Sequence, residues 1–197
     1  MCGRYSLDGR SDEIKLVISA LDARYPRSAW HLGDIRPGDM APVLVSDAGH
    51  IHARLFAWGF PLARSLVINA RAESASDKPL FADCVAKRRC VIPSAGFYEW
   101  SPEKVRHLFT LPDAKALYMA ALFDVSAGAP RFCILTTEAN ASVQGVHPRM
   151  PLVLRREQVR EWLDQPESAG GLLRAVPPSL CCAESQDVPG TEAGFRV

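Results

Sequence analysis

The sequence predicts an α+β fold: a single β-rich domain over residues 1–197, with curved, barrel-like sheets and a few short helices. Three observations lead there. Short runs rich in Val, Ile, Phe, Tyr and Thr recur along the chain, the pattern that strands require. Fifteen prolines and thirteen glycines break the sequence closely, which favours many short elements over a few long helices. The length, 197 residues, suffices for one domain with a real core and is short for two.

Each element follows in order. Residues 2–6 form a short extended start. Ser11 stands as an N-cap before residues 12–23, where Ile14, Leu16, Val17, Ile18 and Leu21 fall at helical spacing. Residues 42–46 and 50–58 read as two strands around Asp47-Ala48-Gly49, a hairpin signal. Residues 66–71 read as another strand, and 78–87 as a short helix. Strands are expected at 89–92, 96–100, 105–111, 117–125 and 131–137. A short helix is expected at 139–146, an extended segment at 150–154 and an amphipathic helix at 156–163. The tail beyond Asp164 is weakly patterned until 179–184.

Composition bounds the function. Hydrophobic residues make up 48% and charged residues 23%, which is ordinary for a soluble globular chain. The formal net charge of +1 leaves nucleic acid open, because a binding site then needs Arg and Lys gathered on one face. No apolar run approaches the ~20 residues of a membrane helix, and no secretory segment leads the chain. Six cysteines occur, at 2, 84, 90, 133, 181 and 182. None lies in a C-x-x-C pair or at zinc-ligand spacing from a histidine, so neither a metal nor another cofactor is expected. A reduced, cytoplasmic protein with five buried thiols is the plain expectation.

Four segments could carry chemistry. Cys2 becomes an N-terminal cysteine if Met1 is removed, placing an amine with a pKa of about 7.7–8.0 beside a thiol of about 8.5. Such a pair condenses with an aldehyde: the amine forms a Schiff base and the sulfur closes a thiazolidine ring. By position alone, Cys2 reads more readily as a small residue at the start of a strand. Asn69, Arg71 and Glu73 alternate in Asn69-Ala70-Arg71-Ala72-Glu73 and would share one face of a strand, whether a site or a solvated edge. Glu99 lies among aromatics in Gly96-Phe97-Tyr98-Glu99-Trp100, where desolvation would raise its pKa; an outward-facing carboxylate is the alternative. His147 lies in a loop stiffened by Pro148 and Pro151, or is an ordinary surface histidine. Arg4, Arg71 and Arg149 flank these candidates and could form a phosphate patch if they converge. Trp58 could stack on a base or belong to the core.

Taken together, these segments resemble the SRAP (SOS response-associated peptidase) family. The resemblance rests on Met1-Cys2-Gly3-Arg4-Tyr5, Trp58-Gly59, Asn69-Ala70-Arg71-Ala72-Glu73, Arg89-Cys90-Val91-Ile92-Pro93, Gly96-Phe97-Tyr98-Glu99-Trp100 and His147-Pro148-Arg149-Met150-Pro151, in that order, from residue 1 to about 163. It implies a compact α+β fold with a positively charged groove. It implies recognition of abasic sites in single-stranded or junction DNA, during the DNA-damage (SOS) response. The open-ring abasic sugar is an aldehyde, so the implied product is a thiazolidine DNA–protein crosslink that shields the lesion. The resemblance makes Cys2 the nucleophile, Asn69 its hydrogen-bonding partner, Glu99 the base for the α-amine and His147 the general acid. Arg4, Arg71 and Arg149 would hold phosphates, with Trp58 and Thr136 also on the DNA side. The expected protein is a monomer without membrane contact, cytoplasmic and nucleoid-associated when on DNA.

Two departures stand out. The family commonly has an Asn in an Asn-x-Ala-Pro stretch near the DNA; here Asp34-Ile35-Arg36-Pro37 stands there, and a carboxylate beside phosphates is unfavourable. The segment between Gly59 and Ile68 is short and lacks a second Trp. Two alternatives remain: a thiol autopeptidase or N-terminal-nucleophile hydrolase using the same residues, and a DNA-binding module without turnover.

Overall fold

The computed structural model describes residues 2–126 and 128–185. The end of the expected domain, 186–197, lies outside the described residues. The strands are β1 (Tyr5–Leu7), β2 (Gly33–Ile35), β3 (Met40–Asp47), β4 (His50–Trp58), β5 (Phe60–Leu62), β6 (Ser65–Val67), β7 (Asn69–Arg71), β8 (Arg89–Ser94), β9 (Gly96–Trp100), β10 (Arg106–Thr110), β11 (Leu117–Asp124), β12 (Arg131–Glu138), β13 (Arg149–Pro151), β14 (Val153–Leu154) and β15 (Cys181–Glu184). The helices are α1 (Asp12–Asp22), α2 (Pro79–Lys87), α3 (Arg156–Asp164) and α4 (Ala169–Leu172).

The predicted α+β, barrel-like body is present. Strands β4, β3, β8 and β11 pair in sequence, and β12 pairs with both β11 and β4, closing a ring. Closure removes the open edges that a flat sheet leaves. A second, five-stranded sheet runs β15-β10-β9-β1-β2. The chain passes from barrel to second sheet between β8 and β9, at Gly96. A Cβ there would sit 2.5 Å from the Phe109 carbonyl oxygen, so glycine lets β10 lie against β9. One hydrophobic cluster spans both sheets, with Phe97, Phe109, Trp58, Phe132 and Trp162 among its large members.

Local sequence explains the elements it predicted. The Ser11 hydroxyl caps α1 by accepting from the Ile14 N–H. Ala48 (φ 47°) and Gly49 (φ 77°) make the two-residue turn joining β3 and β4. The buried Arg89 donates to the carbonyls of Val85, Ala86, Trp162 and Leu163, satisfying the C-terminal ends of α2 and α3 together.

Three expectations are corrected. The helix at 139–146 is instead a run of turns, organised by Asn140. Its Oδ1 accepts from Ser142, and its amide donates to the carbonyls of Pro177 and Pro178, so its side chain ties the turns to a distant segment. The strand at 66–71 is two strands, β6 in a small hairpin with β5 and β7 beside β12. Of the five thiols expected to be buried, Cys84, Cys90 and Cys133 are, but Cys181 and Cys182 are exposed on β15, an edge strand with solvent along it. Among the described residues no helix is long and apolar enough to cross a membrane.

Candidate functional site

Cys2 enters the core just ahead of β1 and is fully buried. Its position follows from neighbouring pairings: Tyr98 N–H donates to the Arg4 carbonyl, and Tyr5 lies opposite both Ile35 and Phe97. Asn69 sits at the start of β7, in parallel register with Ile134 of β12. Its amide donates to the Cys2 carbonyl at 2.9 Å, a contact between residues far apart in sequence. Its Oδ1 is buried with no hydrogen-bond partner among the described residues.

Glu99 projects from β9 on the same face as the core residue Phe97 and is buried. Burial raises its carboxyl above the ordinary value, while nearby His147 pulls it down. Burial, and next the Glu99 charge, push the Cys2 thiol far up, so the sulfur is held as the neutral thiol. Cys2, Asn69, Glu99 and His147 therefore converge, from the N-terminal segment, β7, β9 and the loop before β13.

His147 is half-buried. The turn that Asn140 organises fixes its backbone, with His147 N–H donating to the Val143 carbonyl. His147 Nδ1 lies 3.0 Å from the Arg149 N–H and 2.9 Å from the Arg149 carbonyl oxygen, so it can accept from the one when unprotonated or donate to the other when protonated. One backbone unit thus serves both protonation states, as a group that cycles its proton needs.

The expected phosphate patch is more differentiated than its sequence suggests. Arg71 is exposed at the end of β7. Arg149 is committed: it grips the Glu73 carboxylate with two bonds, at 2.7 and 3.0 Å, and donates to the Thr136 carbonyl and hydroxyl. Glu73 is not on a strand with Asn69 and Arg71, as expected, because the chain turns into a 3₁₀ segment at Ala72–Asp77. Arg149 holds the Glu73 carboxyl below its usual range. Arg4 lies over the Trp100 ring, 5.3 Å from its centre, and 3.7 Å from Asp34 Oδ2.

Two DNA-side expectations are overturned by burial. Trp58 is fully enclosed, stacked on Phe132 and tilted against Tyr5, with its indole N–H donating to the Ile68 carbonyl. It presents no face to a base. Thr136 is also fully buried, and its hydroxyl serves Arg149 and the Ala70 carbonyl. The half-buried aromatic beside the arginines is Trp100, which sequence reasoning passed over as part of the surroundings of Glu99. Strand alternation was the available signal: Trp100 is adjacent to Glu99 and so faces the other way. No group of three His, Cys, Asp or Glu suited to a metal occurs among the described residues.

Known proteins resemble this chain in sequence and in fold. The family model described as SOS response associated peptidase (SRAP) matches residues 1–184. The abasic site processing protein YoaM of Bacillus subtilis (strain 168) is 28% identical over 193 residues, covering 89% of this chain and 85% of that protein. The abasic site processing protein YedK of Escherichia coli (strain K12) is 28% identical over 199 residues, covering 94% and 89%. A crystal structure of a protein from Bacteroides thetaiotaomicron shares the fold, with a TM-score of 0.74 and 22% identity over 94% of this chain and 93% of that one.

Proposed function

Because the chain belongs to the SOS response associated peptidase (SRAP) family, we propose that it processes abasic sites in DNA, capturing the lesion covalently through Cys2 after Met1 is removed. The observation that carries this reading is the convergence of Asn69 and Glu99 on Cys2, with His147 beside Glu99.

The neutral α-amine of Cys2 adds to the C1 aldehyde of the ring-opened sugar, forming a C–N bond. Glu99, a buried carboxyl with a raised proton affinity, takes the ammonium proton that blocks this step. The buried Asn69 Oδ1 accepts from the amine and orients its lone pair. His147 then donates a proton to the carbinolamine oxygen, and water leaves. Finally the thiol adds across the C=N bond: sulfur bonds to C1, and its proton passes to the nitrogen through Glu99. A thiol held neutral is suited to this last role, where the amine attacks first.

Arg71 and Arg4 would meet phosphates, and Trp100 a base of a single strand. Arg149, with Glu73 and Thr136, would brace the loop that carries His147. The domain would act as a monomer. The same cluster could release residues that precede Cys2, the alternative that the family's description names. A thiol pushed up by burial is a poor thiolate nucleophile, so aldehyde capture is favoured.

The test is incubation with single-stranded DNA whose uracil has been excised. The protein should give a heat-stable shifted band on a denaturing gel, and intact mass should report both Met1 loss and the adduct. Cys2→Ala should give neither band nor adduct. Absence of a band with the unaltered protein would sink the reading.

A further inference from the structure

His147 follows a run of turns at 141–146, and turns lack the repeated backbone ladder that steadies a helix or a strand. Two supports flank it. On one side Arg149 grips Glu73 and the Thr136 carbonyl. On the other side stands Asn140. Its carbonyl accepts from the Val143 and Gln144 N–H groups, and the Val143 carbonyl accepts in turn from the Val146 and His147 N–H groups. Val143 is fully buried and anchors the middle of this chain of bonds.

The Asn140 side chain carries the connection to a remote segment. Its amide donates to the Pro177 carbonyl at 3.1 Å and to the Pro178 carbonyl at 3.0 Å, 37 and 38 residues further on. The fit is close in kind: one amide has two N–H bonds, and two successive prolines offer two carbonyls on a stiff backbone that has no N–H of its own. Asn140 Oδ1 accepts from the Ser142 N–H at 3.0 Å and from its hydroxyl at 2.5 Å. The Ser142 oxygen accepts from the Leu180 N–H at 3.1 Å. Pro177 and Leu180 are buried, so the remote segment is seated where these bonds form.

Beyond Leu180 the same segment becomes β15 and pairs with β10, with Cys181 opposite Thr110 and Glu184 opposite His107. His107 in turn lies opposite Glu99 of β9. The stretch 177–184 is therefore bonded at one end to the turns before His147 and at the other to the sheet that carries Glu99. Glu99 senses the charge of His147, so the two ends of this connection meet again at the site.

We propose that Asn140 is a positioning residue for His147: it fastens the His147 loop to the strap 177–184, and through the strap to the sheet of Glu99, so that acid and base keep one spacing across the lesion. This rests on the capture reading above. The effect of Asn140 on capture runs through His147. The tail beyond Asp164, weakly patterned in sequence, thereby gains a part in the site.

The experiment measures the first-order crosslinking rate at saturating abasic single-stranded DNA, and binding of an abasic-free oligonucleotide by fluorescence anisotropy. Asn140→Ala should slow crosslinking about tenfold and leave binding within about twofold, because an acid is displaced and a DNA contact is not. Ser142→Ala, which loses the Leu180 bond and one bond to Asn140, should slow it about threefold. In a His147→Ala background, Asn140→Ala should change the rate by less than about twofold, since the group it positions is gone. A merely structural Asn140 would slow both backgrounds alike, and that result overturns the proposal. So does an Asn140→Ala protein that reacts at the unaltered rate, or a His147→Ala protein that does. Should Asn140→Ala fail to fold by circular dichroism, Ser142→Ala decides by the same comparison of backgrounds.

Long-range ¹H–¹⁵N NMR of the histidine rings separates this inference from the reading it rests on. The His147 signals, assigned by their loss in His147→Ala, should shift or broaden in Asn140→Ala, while those of His50 and His52 on β4 stay in place. If the unaltered protein forms no covalent product but the signals behave in this way, the capture reading fails and the positioning of His147 by Asn140 stands. If it crosslinks and the His147 signals stay in place, this inference alone fails.

Discussion

The Asn69 side-chain amide donates to the Cys2 carbonyl at 2.9 Å, tying the N-terminal segment to a strand of the barrel sheet. The bond fixes the backbone of the proposed nucleophile, and it leaves Asn69 Oδ1 buried without a hydrogen-bond partner among the described residues. Asn69→Ala removes both functions. It should slow crosslinking by at least about tenfold while lowering stability by about 1 kcal/mol, the usual net worth of one hydrogen bond. Gel-based crosslinking rates and a urea melt read the two effects. A rate equal to that of the unaltered protein would remove Asn69 from the site.

Glu99 sets a pH dependence whose sign is fixed by burial. Its carboxyl is raised above 4.5 in the folded protein, so the folded state binds more protons than the unfolded one as pH rises beyond that value. Its contribution to stability is therefore fully present below 4.5 and lost as pH climbs through the raised folded value. Glu99→Gln, a neutral isostere, should raise the melting temperature at neutral pH relative to the unaltered protein. It should lower crosslinking by about 100-fold or more, the scale of general acid–base catalysis. A melting temperature that drops at neutral pH, or a rate that does not, contradicts this account.

The fold sorts the six cysteines. Native alkylation with iodoacetamide, mapped by mass spectrometry, should label Cys181 and Cys182 first, because both are exposed on β15. Cys84, Cys90 and Cys133 should be labelled on unfolding. Cys2 should behave with the buried group, its thiol held neutral by burial and Glu99. Rapid native labelling of Cys2 would show that the sulfur is a thiolate, and would move the balance toward peptidase chemistry.

Burial separates Trp58, fully enclosed, from Trp100, half-buried beside Arg4. Trp58→Ala empties a fully buried site between Tyr5 and Phe132 and should cost about 3–5 kcal/mol in a denaturant melt. Trp100→Ala should leave stability much less changed and weaken single-strand binding by about 1–3 kcal/mol. Equal stability losses for the two would contradict the burial difference.

Much of this was legible in the chain. Ser11, the Ala48-Gly49 turn and the periodicity of α1 and α3 act through local geometry, which neighbours in sequence suffice to specify. The ordered motifs also marked Cys2, Asn69, Glu99 and His147. The run 139–146 misled because Asn140 finds its partners at Pro177 and Pro178, beyond any local window. Thr136 and Trp58 misled because a motif gives residue type without solvent exposure.

The sequence by itself determined the α+β class of the body and marked Cys2, Asn69, Glu99 and His147 as candidate side chains. The tertiary structure decided which of them are buried and which come together. Closing the barrel through β12 brings β7 against the N-terminal segment, and the register of β9 divides Glu99 from Trp100, one into the core and one toward the arginines. Burial then raises the proton affinity of Glu99 and Cys2, and ion pairing holds Arg149 on Glu73. Desolvation and Coulomb interaction depend on distances through space, and a linear chain does not contain those until it folds.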